Sequence, residues 1–193
     1  RKRFNCRYYW VNGMIIVPQT PVVSAVWSPV NFGTTTVTED ATGRLMTPSP
    51  LSSSELRLET QPLPTTTGNF TFIGELQVSN VDALWGIFLY DSTTQKTIGF
   101  AAYATGIWFG KNNTPSSFNS DYSWNPVGPT EIGLINCFRI VDNGTNITAT
   151  YSKDKGATWL NTTNNVQPRT NFCTPTHVAW GGRNDGDTRT IKL

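Results

Sequence analysis

The 193 residues carry 15 Lys and Arg against 13 Asp and Glu, a net charge of +2, and only 15% of positions are charged. That balance argues against nucleic acid or an anionic membrane as partner, and no run of 18 apolar residues is present to span a bilayer. The length suits one domain with a full core, while 29 Thr, 17 Asn and 12% aromatics favour strands and turns over helices.

Residues 1–25 open with Arg1, Lys2, Arg3 and Arg7, then place apolar runs at 8–11 and 14–17 around Asn12-Gly13. An Asn-Gly pair between two such runs is a hairpin signal. The segment reads either as an N-terminal arm that docks onto a larger assembly or as an edge hairpin of the domain at 26–193. A start at Arg1, with no Met and no apolar signal core, is what a processed or truncated piece of a longer chain shows.

From residue 26 onward, strand-like runs recur at 56–59, 69–78, 84–90, 97–103, 106–109, 132–142, 146–152, 158–160 and 177–181. Phe70, Phe72, Gly74, Leu76 and Val78 alternate with Thr71, Ile73, Glu75 and Gln77, the period of a sheet with one wetter face. The run 84–90 is apolar on both faces, which predicts a central, doubly covered strand. Turn punctuation about every 10 residues predicts an all-β fold, a two-sheet antiparallel sandwich with no convincing helix. Residues 110–130 read as a long exposed loop.

Three cysteines, Cys6, Cys137 and Cys173, cannot all pair within one chain; free thiols are expected, with a Cys137–Cys173 bridge as the alternative. Glycosylation sequons begin at Asn69, Asn112, Asn143, Asn146 and Asn161, about as many as chance supplies at this Asn, Ser and Thr content.

Ser152, Asp154, Gly156, Thr158 and Trp159 fit the Asp-box pattern Ser-x-Asp-x-Gly-x-Thr-Trp, which resembles the repeated turns of sialidases and related propellers. A propeller repeats blades of roughly 40–50 residues, and this motif occurs once. It therefore predicts a hairpin: Asp154 accepting backbone N–H bonds, Gly156 at positive φ, Trp159 burying beside the next strand.

Phe138 to Val141, Asn143-Gly144, Thr148 to Tyr151 and the Ser152–Trp159 turn follow one another in an order similar to the late hairpins of concanavalin A-like lectin/glucanase and LamG-like sandwiches. Residues 69–76, 85–91 and 98–103 are similar to that family's middle strands. The resemblance covers residues 26–193 and implies a jelly-roll sandwich. Such domains occur in phage tail fibres, capsid appendages and cell-surface recognition proteins. The implied roles are a non-enzymatic glycan-binding or adhesion module of a virion or surface appendage, or a decoration module docked to other virion proteins through residues 1–25. A homo-oligomer is also compatible with it.

The retaining glucanases of this fold imply Glu-x-Asp-x-x-Glu on one strand, and no such triplet is present. Glu55 and Glu59, four apart, read as solvated charges around Arg57. A glycoside hydrolase with another carboxylate pair is the weaker alternative. Sialidase chemistry would require Arg139, Arg169, Arg183 or Arg189 to meet Tyr151, and no spacing brings them together. His177, the only histidine, reads as a strand residue satisfied by a neighbour.

Aromatic faces that stack on sugar C–H groups, mixed with Asn and Asp that bond hydroxyls, are concentrated in Trp108, Asn112, Phe118, Asp121, Tyr122 and Trp124, the candidate glycan site. Folding of Phe118 and Trp124 into a small core under the loop is the competing reading. Asp121 and Asn125 reproduce part of a legume-lectin metal loop, so calcium is an open cofactor there, against a plain turn-forming Asp. Asn184, Asp185, Gly186 and Asp187 form a second oxygen-rich turn, for which an Asp-Gly hairpin is the simpler reading.

Overall fold

The computed structural model of the chain describes residues 26–40, 43–48, 55–63, 68–79, 83–183 and 190–193. The hairpin expected within 1–25 and the turn at 184–187 lie outside them.

The described residues form three antiparallel sheets and a single helical turn. The largest sheet has the order β1 (Ser28–Val30), β4 (Arg57–Pro62), β14 (His177–Arg183), β7 (Leu84–Tyr90), β8 (Thr97–Tyr103), β9 (Gly106–Thr114) and β10 (Ser117–Pro126). Against it packs a four-stranded sheet of β13 (Leu160–Pro168), β12 (Asn146–Ser152), β11 (Cys137–Asp142) and β5 (Phe70–Glu75). The third sheet, β2 (Thr36–Asp40), β3 (Gly43–Thr47), β15 (Ile191–Lys192) and β6 (Gln77–Val78), adds Met46 and Ile191 to the same core. The all-β antiparallel sandwich expected from the turn spacing is therefore present.

Alternation decides which side chains meet. Trp85, Ile87 and Leu89 of β7, Phe100 of β8 and Phe109 of β9 point inward to Phe72, Phe138, Ile140 and Ile147 of the opposing sheet. Phe138 meets Trp85 and Phe100 edge-to-face, with ring centroids 5.2 and 5.8 Å away. Strand β7 is fourth of seven and buried throughout, as a run apolar on both faces requires. Its other face, with Leu84 and Phe88, joins Leu56, Leu58, Ala101, Trp108 and Ala179 in a second apolar cluster on the outside of the seven-stranded sheet.

Several boundaries differ from expectation. The run at 132–142 splits into a helical turn α1 (Pro129–Ile132) and strand β11, because Pro129 opens a turn that Gly133 ends. The strand placed at 158–160 begins at Leu160 and continues through eight more, mostly polar, residues. Most of residues 110–130 is the hairpin β9–β10 rather than a loop. Strands β10 and β13 are polar edge strands of different sheets that lie together, with Asn125 Oδ1 accepting both the N–H and the hydroxyl of Thr163 at 3.0 Å. Their edges shield each other.

Cys137 and Cys173 are both buried, and no disulfide joins them. Burial first, then the Asp91 charge, pushes the Cys173 thiol up to about 12. Glu59 corrects the reading of solvated charges. Its carboxylate faces inward and takes Arg44 Nε at 2.5 Å and Nη2 at 2.7 Å, while Glu55 stays at Arg57, 3.4 Å away. A second buried pair joins Arg169 Nε to Asp142 Oδ2 at 2.6 Å, behind the Asn143-Gly144 turn.

The Asp-box turn has its expected form. Asp154 accepts the Thr158 N–H at 2.8 Å and the Thr158 hydroxyl at 2.6 Å, and Gly156 sits at φ 84°. Trp159 is half-buried under the Arg139 guanidinium, 4.2 Å from its ring centroid. The Thr158 hydroxyl, the Thr158 N–H and the Ser152 hydroxyl hold the Asp154 carboxyl down to about 2, against an ordinary value of 3.8. A carboxyl depressed on folding contributes stability above its unfolded value and loses it as pH falls toward the folded one. An Asp154→Asn variant is therefore expected to be less stable than the parent at pH 6 and to converge with it near pH 2. Urea unfolding at stepped pH checks this; a gap unchanged down to pH 2 would contradict it.

Candidate functional site

Trp108 and Asn112 alternate on β9, so both project from the outer face of the seven-stranded sheet. The β10 register sets Phe118 opposite Asn112, Asp121 opposite Gly110 and Trp124 opposite Trp108, on the same face. Alternation after Asp121 turns Tyr122 to the other side, where its ring packs 5.1 Å from Phe109 in the main core, and a bulge between Asp121 and Ser123 brings Trp124 back to the face of Asp121. Burial and then a nearby thiol push the Tyr122 hydroxyl up to about 12. Tyr122 therefore leaves the candidate set.

The other five line one cavity of about 220 Å³, completed by Leu56, Leu84, Tyr103 and Arg183. Strong coiling of the sheet creates it. Strands β4 and β9 are four strand steps apart, roughly 19 Å in a flat sheet. Yet the Leu56 N–H at the head of β4 donates to the Pro115 carbonyl at the β9–β10 tip at 2.7 Å. Right-handed twist accumulated over four steps lifts the two diagonal corners toward each other above the outer face.

Each aromatic in the cleft has a definite support. Trp108 is buried, tilted against Phe88 at 6.4 Å, and donates Nε1–H to Asp121 Oδ1 at 2.5 Å. Trp124 lies over Gly106, where any Cβ would overlap the indole, and meets Tyr103 edge-on at 6.3 Å. It remains 39% exposed, so one side of the ring is open to the cleft and solvent. Arg183 lies 4.9 Å from the centre of the Tyr103 ring. Asn112 is 2% exposed, which bars glycosylation at that sequon, and its Oδ1 has no hydrogen-bond partner among the described residues.

The calcium candidate separates. Asp121 lies on the outer face, whereas Asn125 pairs with Ile107 and turns its Oδ1 to Thr163 on the opposite side of β10. One ion cannot take both. Among the described residues no group of three or more His, Cys, Asp or Glu is arranged to hold a metal. The arginines considered for sialidase chemistry are also dispersed: Arg139 on the outside of the four-stranded sheet with Thr150, Arg169 at Asp142, Arg183 in the cleft, and Arg189 outside the described residues. His177 begins β14 with Nδ1 2.8 Å from the Thr176 hydroxyl, and burial lowers its pKa.

Sequence reasoning missed Leu56, Leu84, Tyr103 and Arg183. Leu84, Tyr103 and Arg183 enter from β7, β8 and β14, and Leu56 from the residue before β4; only sheet order and coiling bring them to β9 and β10. No family model matches the chain, and no curated protein matches its sequence.

Proposed function

We propose that the chain is a non-enzymatic glycan-binding module that takes a sugar in the outer-face cleft, serving adhesion on a virion or other surface appendage. The observation that carries the glycan reading is Trp124. A half-exposed indole fixed flat on Gly106, beside Asp121 and Asn112, offers a stacking platform with hydrogen-bonding groups at its edge. The surface setting rests on the strand-and-turn resemblance alone. Binding is favoured over hydrolysis because glycoside cleavage uses two carboxyls, about 5–5.5 Å or 6.5–9.5 Å apart. Asp121 is the one carboxylate lining the cleft among the described residues.

A glycan array with the intact chain tests the proposal, and Trp124→Ala is expected to weaken any hit about thirtyfold, the roughly 2 kcal/mol of a binding hot spot. Gly106→Ala is expected to do the same without touching the ligand, by tilting the indole off the sheet. Both should unfold near the parent, since Trp124 is on an edge strand. Array silence, or a hit indifferent to both changes, would sink the proposal.

A further inference from the structure

Three features of the cleft bear on what part of a glycan it would take, given the glycan reading above. The first is size. At about 220 Å³ the cavity is smaller than the roughly 300–1,000 Å³ of sites that enclose drug-sized ligands. One sugar ring suits it better than several.

The second is closure. The Leu56 to Pro115 hydrogen bond joins opposite corners of the sheet over the outer face, with Leu56 and Phe118 beside it as walls. An extended polysaccharide laid across the sheet would have to pass through that junction. The ring on Trp124 therefore has an open side for the rest of the glycan and a blocked one.

The third is polarity. Asn112 is 2% exposed, lines the cavity and keeps an acceptor, Oδ1, with no partner among the described residues. Buried polar groups in native proteins nearly always have a partner, so an unmet acceptor at a cavity wall points to a donor supplied by what enters. Asp121 presents a second acceptor: its Oδ1 takes the Trp108 N–H, and Oδ2 has no partner among the described residues. A carboxylate can only accept. Both groups ask for hydroxyl donors on the incoming ring.

We infer that the cleft recognises the terminal ring of a glycan, stacked on Trp124 and donating ring hydroxyls to Asp121 and Asn112, and does not bind an internal stretch of chain. This inference rests on the glycan reading. Isothermal titration of the full chain with methyl hexopyranosides, methyl N-acetylhexosaminides and the trisaccharides that each terminates would test it. The expected result is that one methyl glycoside binds within about tenfold of its trisaccharide. Replacing one of its ring hydroxyls by hydrogen is expected to weaken it at least tenfold, an effect that Asn112→Leu or Asp121→Asn should reduce. Because Asn112 is buried and its variant could unfold, the deoxy series on the parent protein stands by itself. Tight trisaccharide binding with inert monosaccharides, or indifference to every deoxygenation, would overturn end recognition while leaving glycan binding intact. Silence of every probe would remove both.

Discussion

Replacing Arg169 by methionine is expected to lower unfolding stability by about 3–5 kcal/mol, the usual consequence of stranding one charge of a buried pair. Arg169 Nε donates to Asp142 Oδ2 at 2.6 Å, with the two side chains 6% and 0% exposed. Asp142 ends β11, and its Oδ1 also accepts the Gly144 N–H at 2.8 Å, so the carboxylate organises the turn into β12. The Arg169 N–H in turn donates to the Thr145 carbonyl at 2.9 Å, which anchors the exit of β13 beside the same turn. Methionine keeps the aliphatic bulk and removes the charge, leaving an ionised carboxylate with no access to water. Urea unfolding of both proteins at neutral pH measures the difference. Asp142→Leu combined with Arg169→Met should recover part of the loss, since removing both charges also removes the desolvation penalty. A single-variant loss below about 1 kcal/mol would show that the pair is screened and the turn indifferent to it.

The second large effect is expected at Trp108. Trp108→Ala should cost about 3–5 kcal/mol, the range for truncating a buried aromatic. The indole lies between Gly99 and Gly110, where a Cβ at either position would overlap it, and it closes the outer apolar cluster over Phe88, Leu84 and Leu58. Without it the concave face loses its floor, and coiling of the sheet cannot refill the space, because the Leu56–Pro115 junction fixes the opposite corners. Trp108→Phe should retain most of the stability and lose only the Nε1–H bond to Asp121. Thermal or urea unfolding would check the ordering; an alanine variant within about 1 kcal/mol of the parent would show that the outer cluster is not a packed second core. Asp121 is solvent-exposed, so water replaces its lost donor and the effect reports packing.

Elements with a strong local signal were legible in the sequence. Strands β7, β8 and β12 begin and end where the strand-like runs at 84–90, 97–103 and 146–152 do, and the β5 alternation appears as strict burial of every second residue. The Asp-box turn was legible too, because the side-chain hydrogen bonds of Ser152 and Asp154 that shape it join residues at most four apart. Strands β10 and β13 were not. The sequence SFNSDYSWNP lies in the stretch that reads as a loop, and LNTTNNVQP carries no strand signal beyond Leu160; pairing with β9 and β12 and mutual edge contact make strands of both.

The sequence by itself determined an all-β antiparallel sandwich, a central β7, the Asp-box hairpin and the residue types from which a sugar site could be built. Period-2 patterning and turn chemistry act over a few residues and are written in them. Tertiary structure decided which of those residues meet. Alternation sent Tyr122 inward, a bulge in β10 put Trp124 on the outward face beside Asp121, and Thr163 drew Asn125 away. Sheet coiling carried Leu56 and Arg183 to the same cleft from strands far along the chain. Register shifts and accumulated twist are properties of paired strands, and no single segment encodes them.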